Sequence, residues 1–221
     1  MEAHQPVLKS VIKNIQNLQK PTVKNIKIHF KITKHLLKFL SKRLKQIEEE
    51  EEEYIFFKRH RNLTVLKANY TFTKANYTFT IFESCGFINA TGIKSLEHIE
   101  KCLKVFCSLT KILRTDIENI TIDNITASGS FKRILNLPSI NQEINTTKGN
   151  IVATYNPNIF PGAFCKHFAY GTFIIFSSGK YCIVGSKCIE HTEKIYKEML
   201  AIISTQYMTI EKAPTYALIA V

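Results

Sequence analysis

The sequence lacks most of the features that would assign it quickly to a class. No apolar run reaches the roughly 18–20 residues of a membrane span, so no membrane partner is expected. The opening residues, Met1-Glu2-Ala3-His4-Gln5-Pro6, lack the charged-then-apolar layout of a secretory signal, and an intracellular protein is expected. The six cysteines (Cys85, Cys102, Cys107, Cys165, Cys182 and Cys188) include no Cys-x-x-Cys pair. Neither a metal site nor a disulfide framework is expected from them; buried or half-buried free thiols are. There is no Gly-rich phosphate loop, no paired-carboxylate motif and no nucleophile elbow, so neither an enzyme nor a cofactor is expected. Acidic residues are scarce as well. There are 18 against 30 lysines and arginines, a formal net charge of +12, which favours a polyanionic partner, nucleic acid before an acidic membrane surface.

What remains is a chain of 221 residues, 45% hydrophobic, enough for one large domain or two small ones. Asn-x-Thr sequons occur at Asn62, Asn69, Asn76, Asn89, Asn119, Asn124 and Asn145. With no secretory signal they read as a by-product of an Asn-, Ile- and Lys-rich composition, which hints at an A·T-rich genome.

The strongest positive feature is an internal repeat. Phe173–Leu200 reads strand, tight turn, strand, helix, and the same string runs earlier from Phe79 to Phe106. Gly92-x-Lys94 matches Gly185-x-Lys187, and Glu97-His98-x-Glu100-Lys101 matches Glu190-His191-x-Glu193-Lys194. The matched positions differ in number by 94 before the turn and by 93 after it, because the first turn is one residue longer. Asn25 and Asn119 obey the larger spacing, which carries the repeat across the whole unit. Four segments follow: an N-terminal extension with helical spacing (1–21), a first repeat (22–114), a second (115–205) and a tail (206–221).

Within the first repeat, Thr22–Ile32 alternates apolar and polar residues, as a half-buried strand does, with Asn25 and basic residues on its polar side. Lys34–Ile47 has the spacing of an amphipathic helix, and Glu48–Glu53 reads as its solvated end. Lys67–Thr73 (KANYTFT) is copied as Lys74–Thr80. Seven is odd, so a strand running through both copies would exchange its faces; a lengthened hairpin or a bulge is expected instead. A second alternating strand covers Asp116–Ser128, a weaker helix falls within Phe131–Asn145, and a strand over Ile151–Tyr155 leads to Phe160-Pro161-Gly162.

Three stretches carry a family resemblance: Tyr155-x-Pro157-x-x-Phe160-Pro161-Gly162, Ile174-Ile175-Phe176-Ser177-Ser178-Gly179-Lys180 and Val184-Gly185-Ser186-Lys187. Together they resemble the second repeat of the TATA-box-binding-protein family, and Asn25 and Asn119 open the two units as that family's repeats open. The resemblance spans about Thr22 to Ser204. It implies an α+β fold, a saddle of two pseudo-symmetric repeats with a curved antiparallel sheet beneath and helices on the convex face. It also implies a protein that binds double-stranded A·T-rich promoter DNA through the minor groove, inserting phenylalanine wedges that kink the duplex.

Carried over by position, Phe160 and Phe176 match the wedge pair of the second repeat. Phe82 matches the inner wedge of the first, with Phe57 or Phe56 as its partner. Asn25 and Asn119 match central base-edge amides. Cys182 and Val184, with Asn89 and Thr91, match the groove floor, while Lys94, Lys166, Lys180 and Lys187 match phosphate contacts. Phe79 and Phe173 remain core candidates, and His98 and His191 are expected to be exposed or packed on helices.

Some positions depart from the family. Lys27 and Thr121 stand where it has groove-floor valines, and the lysine after the first turn is replaced near Gly86-Phe87. Asn156 and Asn158 replace the acids through which the family meets transcription factor IIB. A transcription factor IIB-like or RNA-polymerase-associated partner is still implied, with a nuclear location. The composition also suits a large DNA virus, for which the location would be a cytoplasmic factory or virion. A protein-interaction scaffold with weak DNA binding is the alternative function.

Overall fold

The computed structural model describes residues 20–50, 55–61, 63–70, 75–147 and 149–210. Most of the expected N-terminal helix, the end of the acidic run, the junction of the two heptads and the end of the tail lie outside these residues. The chain forms two compact units, one of Val23–Thr126 and one that holds the described residues from Ala127 onward. The packing boundary falls inside a strand, twelve residues after the repeat boundary read from the sequence.

In the first unit the strand order is β2-β3-β4-β5-β1-β6. These strands are β1 (Thr22–Ile32), β2 (Ile55–His60), β3 (Leu63–Tyr70), β4 (Ala75–Phe82), β5 (Phe87–Ile93) and β6 (Ile117–Ser130). Two helices, α1 (Leu37–Glu50) and α2 (His98–Thr110), complete it. The alternation in β1 is realised: Ile26, Ile28, Phe30 and Ile32 are buried, while Asn25, Lys27, His29 and Lys31 take the other side. Phe106 of α2 packs edge-on against Phe30 at 5.1 Å and against Phe79 at 5.4 Å, which fixes the helix-covered face. Leu40, Leu44 and Ile47 of α1 are buried. The acidic end of α1 is not simply solvated: Glu48 pairs with Arg59 at 2.9 Å and Glu50 with Arg43 at 2.8 Å.

The duplicated heptads lie on opposite arms of one hairpin. Lys67, Ala68, Asn69 and Tyr70 of the first copy pair with Thr78, Tyr77, Asn76 and Ala75 of the second. Each copy therefore keeps its own alternation, and the expected lengthened hairpin is what forms.

In the second unit the order is β6-β10-β9-β8-β7, with β7 (Ile151–Thr154), β8 (Gly162–His167), β9 (Gly171–Phe176) and β10 (Lys180–Ser186). Helices α3 (Leu137–Thr146) and α4 (Ile189–Ile210) cover one face. Asn136 caps α3 by accepting from the Ser139 N–H at 3.2 Å, and a proline lies in the first turn, as helix starts prefer. Phe131 anchors the core among Phe173, Tyr181 and Tyr196, with ring centroids 6.3, 4.8 and 6.2 Å away. The Asn145 side chain bonds both Ala153 N–H and Ala153 C=O, closing the outer edge of β7.

All six cysteines are free thiols, as expected, though Cys85 is exposed. Burial pushes the Cys102 and Cys165 thiols up to about 12, so they hold almost no thiolate at neutral pH. Iodoacetamide at pH 8 is expected to label Cys85 in the native protein, whereas Cys102 and Cys165 react only after denaturation; peptide mapping by mass spectrometry checks this.

Candidate nucleic-acid interface

Each unit leaves the sheet face opposite its helices open, and alternation decides what stands there. In the second unit the core residues Ala163, Cys165, Phe173, Ile175, Tyr181 and Ile183 point to the helices. The residues between them point the other way: Phe164, Lys166, Thr172, Ile174, Phe176, Cys182 and Val184. The cross-strand pairs Phe164 with Ile174, and Cys182 with Ile174, build a continuous apolar floor. Along this row no charged group interrupts it, which suits a groove wall of base edges and sugars.

At one end of that floor sits an aromatic cluster. The turn before β8 is drawn tight by Ile159 N–H and Phe160 N–H, which both donate to Asn156 C=O, at 3.1 and 3.0 Å. This swings Phe160 back over the sheet, 5.7 Å from Phe176 and 4.8 Å from Phe164 between ring centroids. Gly162 makes the arrangement possible. A Cβ there would come within 2.8 Å of the Phe160 ring and 3.0 Å of the Phe176 ring. Phe164 is 38% exposed and Ile159, at the turn's tip, 82%. Phe164 was not among the expected site residues, although its position two residues after Gly162 on an alternating strand places it on the open face.

Four lysines named in the sequence analysis are open to solvent. Lys166, Lys180, Lys187 and, in the first unit, Lys94 are all exposed. Each that touches phosphate contributes about 0.9 to the slope of log affinity against log salt. Lys180→Ala and Lys187→Ala are each expected to lower that slope by about 0.9 without changing sequence preference, as fluorescence anisotropy across a salt series will read.

The first unit presents a different surface. Phe82 is 37% exposed and pairs with Phe87 across β4 and β5, ring centroids 6.0 Å apart. Phe57 does not join it. Phe57 takes the helix side of β2, with the Arg59 guanidinium 5.4 Å from its ring, while Phe56, 50% exposed, stands on the open face beside Lys67. The cross-strand partner of Phe82 is Leu63. The reason is loop length. Two residues join β2 to β3, against seven between β7 and β8, so there is no segment to carry a ring like Phe160. The place of Lys180 is taken by Phe87, whose ring stacks on His29 at 4.8 Å.

Asn89 and Thr91 lie on the open face, paired with Thr80 and Thr78. Asn25 is committed to the fold: its Oδ1 accepts the Gly92 N–H at 2.8 Å. Gly92 has φ +91, and a Cβ there would strike the Asn76 carbonyl, so the position requires glycine. Asn119 is exposed, in the left-handed region at φ +54, which asparagine tolerates. Asn25→Ala should therefore destabilise the protein by about 1–3 kcal/mol through the orphaned N–H, before any effect on binding; a urea titration will show it.

Between these residues lies a charged cluster. Asp123 Oδ1 is 2.6 Å from His29 Nδ1, and Asp123 Oδ2 is 3.3 Å from Lys27 Nζ. His29 also pairs with Asn89 on β5. His29 and Asp123 are 94 residues apart, the repeat spacing, and that coincidence was the available signal for a cluster the sequence reading did not identify. Among the described residues no group of His, Cys, Asp and Glu could hold a metal ion.

Comparison with known proteins agrees with this division. The family model described as "Transcription factor TFIID (or TATA-binding protein, TBP)" matches residues 119–206, the better-kept second repeat. "TATA-box-binding protein 3" of Methanosarcina mazei is 33% identical over 132 residues, 58% of this chain and 66% of the relative. The protein of the same name from Methanosarcina acetivorans is 34% identical over 115 residues, 50% of this chain and 60% of the relative. The chain thus matches somewhat under two-thirds of the length of each. The solved structure of Methanococcus jannaschii TBP shares the fold, with a TM-score of 0.59 at 23% identity, covering 85% of this chain and 99% of that one.

Proposed function

This chain belongs to the TATA-box-binding-protein family, and from that premise we propose that it is a transcription initiation factor that binds A·T-rich promoter DNA in the minor groove and bends it. The observation that carries the reading is the Phe160–Phe164–Phe176 cluster at the end of an apolar open face. The minor groove presents acceptors at every base pair and one extra donor, the guanine amine. An apolar floor packs against A·T pairs and clashes with that amine. Half-buried rings on the open face at the end of the floor can enter a base step. The unstacking costs a few kcal/mol, offset by the protein surface the bent duplex then covers.

On this reading the protein works by binding rather than by catalysis. Asn156 and Asn158, exposed on the turn that carries Phe160, stand at the surface where a transcription factor IIB-like protein would dock. Two neutral amides there favour a partner that does not rely on an acidic contact. Its place of action is wherever the transcribed DNA lies, a nucleus or a cytoplasmic viral factory.

One observation favours a second reading, a scaffold with weak DNA binding: the Lys27–Asp123 pair puts full charges on the open face of the first unit. Titrating A·T-rich and G·C-rich duplexes with the protein at rising salt separates the two. Preference for the A·T-rich duplex that persists as salt rises supports the DNA reading. Equal affinity with a steep salt slope indicates contact with phosphates alone, and no binding at low salt rejects the DNA reading.

A further inference from the structure

A carboxylate on a minor-groove reader's open face needs an explanation. Asp123 carries no donor when ionised; it only accepts. An A·T pair offers the minor groove nothing but acceptors, adenine N3 and thymine O2. A carboxylate against such a pair faces lone pairs with lone pairs and loses its water. A G·C pair differs by one group, the guanine 2-amino donor.

We propose that Asp123 is a specificity-determining residue that accepts a hydrogen bond from a guanine 2-amino group, so that the preferred site of this protein contains a G·C pair within an otherwise A·T-rich sequence. The proposal rests on the minor-groove reading above. Three features of the cluster support it. The Asp123 side chain is 27% exposed, so a base edge can reach it. Its neighbours occupy different oxygens, His29 on Oδ1 and Lys27 on Oδ2, which leaves lone pairs on both. Those same contacts hold the carboxylate in place: the His29 ring is clamped by its stack on Phe87, and Lys27 supplies the charge that makes bringing an anion to DNA tolerable. Lys27 is also suited to the site itself, because its ammonium can donate to the acceptors every base pair presents. The three groups together read an acceptor–donor pattern that an all-apolar floor cannot.

Inosine tests the idea, because an inosine·C pair is a G·C pair without the 2-amino group. A panel of A·T-rich duplexes is prepared in which one base pair at a time is replaced by G·C or by inosine·C, and affinities are measured by anisotropy with the full chain. The expected result is one position where G·C binds about tenfold or more tighter than inosine·C, with inosine·C favoured elsewhere. Asp123→Ala should abolish that ratio at that position, and Asp123→Ser gives a second variant should the first fold poorly. Lys27→Val should weaken binding to every duplex and keep the ratio, because His29 still holds Asp123 through Oδ1. If inosine·C equals or exceeds G·C at every position while the A·T-rich duplex is bound, Asp123 does not read guanine and the proposal fails alone. If no duplex is bound, the minor-groove reading fails and takes the proposal with it.

Discussion

Replacing Phe160 and Phe176 together by alanine is expected to abolish bending of an A·T-rich duplex while leaving the protein folded. Neither ring is fully buried, and both lie over Gly162 on the face away from the helices, so their loss opens no cavity in the core. What disappears is the pair of planes that can replace base–base stacking once a step is opened. Without them the duplex keeps its stacking and stays straight, and the surface gained by bending is forfeited. The expected cost is about 2–3 kcal/mol, roughly a hundredfold in affinity. Fluorescence transfer between the ends of a labelled duplex reads the bend directly, and an unchanged transfer efficiency at saturation would show that the rings are not wedges. Phe164→Ala alone should cost less, because Phe164 supports the Phe160 ring from the strand rather than leading it.

The second large effect is on stability. Phe131 follows β6 directly and sits where Phe173, Tyr181 and Tyr196 converge, one from each of β9, β10 and α4. It is almost wholly buried. Phe131→Ala would leave a void bounded by three rigid rings that cannot collapse into it. A loss of about 3–5 kcal/mol is expected, enough to unfold a marginal unit at physiological temperature. Circular dichroism melts will register a transition lowered by many degrees; a shift of only one or two degrees would mean that the rings repack. Phe131→Leu should recover much of the loss, since most of the apolar volume returns.

How much of this was legible before the structure depends on the residue. Strand alternation gave β1 and its two faces, because a period of two leaves little choice once one face is apolar. The core roles of Phe79 and Phe173 followed from the same rule. So did the repeat, since glycines and turn residues mark positions where the backbone itself is constrained. Residues 137–146 were harder. The apolar residues Ile134 and Leu135 precede the helix rather than belonging to it, and the Asn136 cap sets the start. The wedge partner in the first unit was obscured for a different reason. Phe56 and Phe57 are adjacent, so composition could not say which faced outward, and the shortness of the link between β2 and β3 becomes plain only when both strands are placed. The Lys27–His29–Asp123 cluster needed strand neighbours from opposite ends of the unit, and no local pattern reports those.

The hairpin of β3 and β4 also records how this gene changed. A tandem copy of seven codons is the kind of error that slipped replication produces, and in most strands its odd length would have turned every following side chain to the wrong face. Here parent and copy fell on opposing arms and paired with one another, so the addition was absorbed as length at the far end. The pairing of Ile81 with Ile88 and of Phe82 with Phe87 lies beyond it. The sheet next to β5 was therefore shielded from the mutation, and a lineage could keep the duplication without any compensating change in its core.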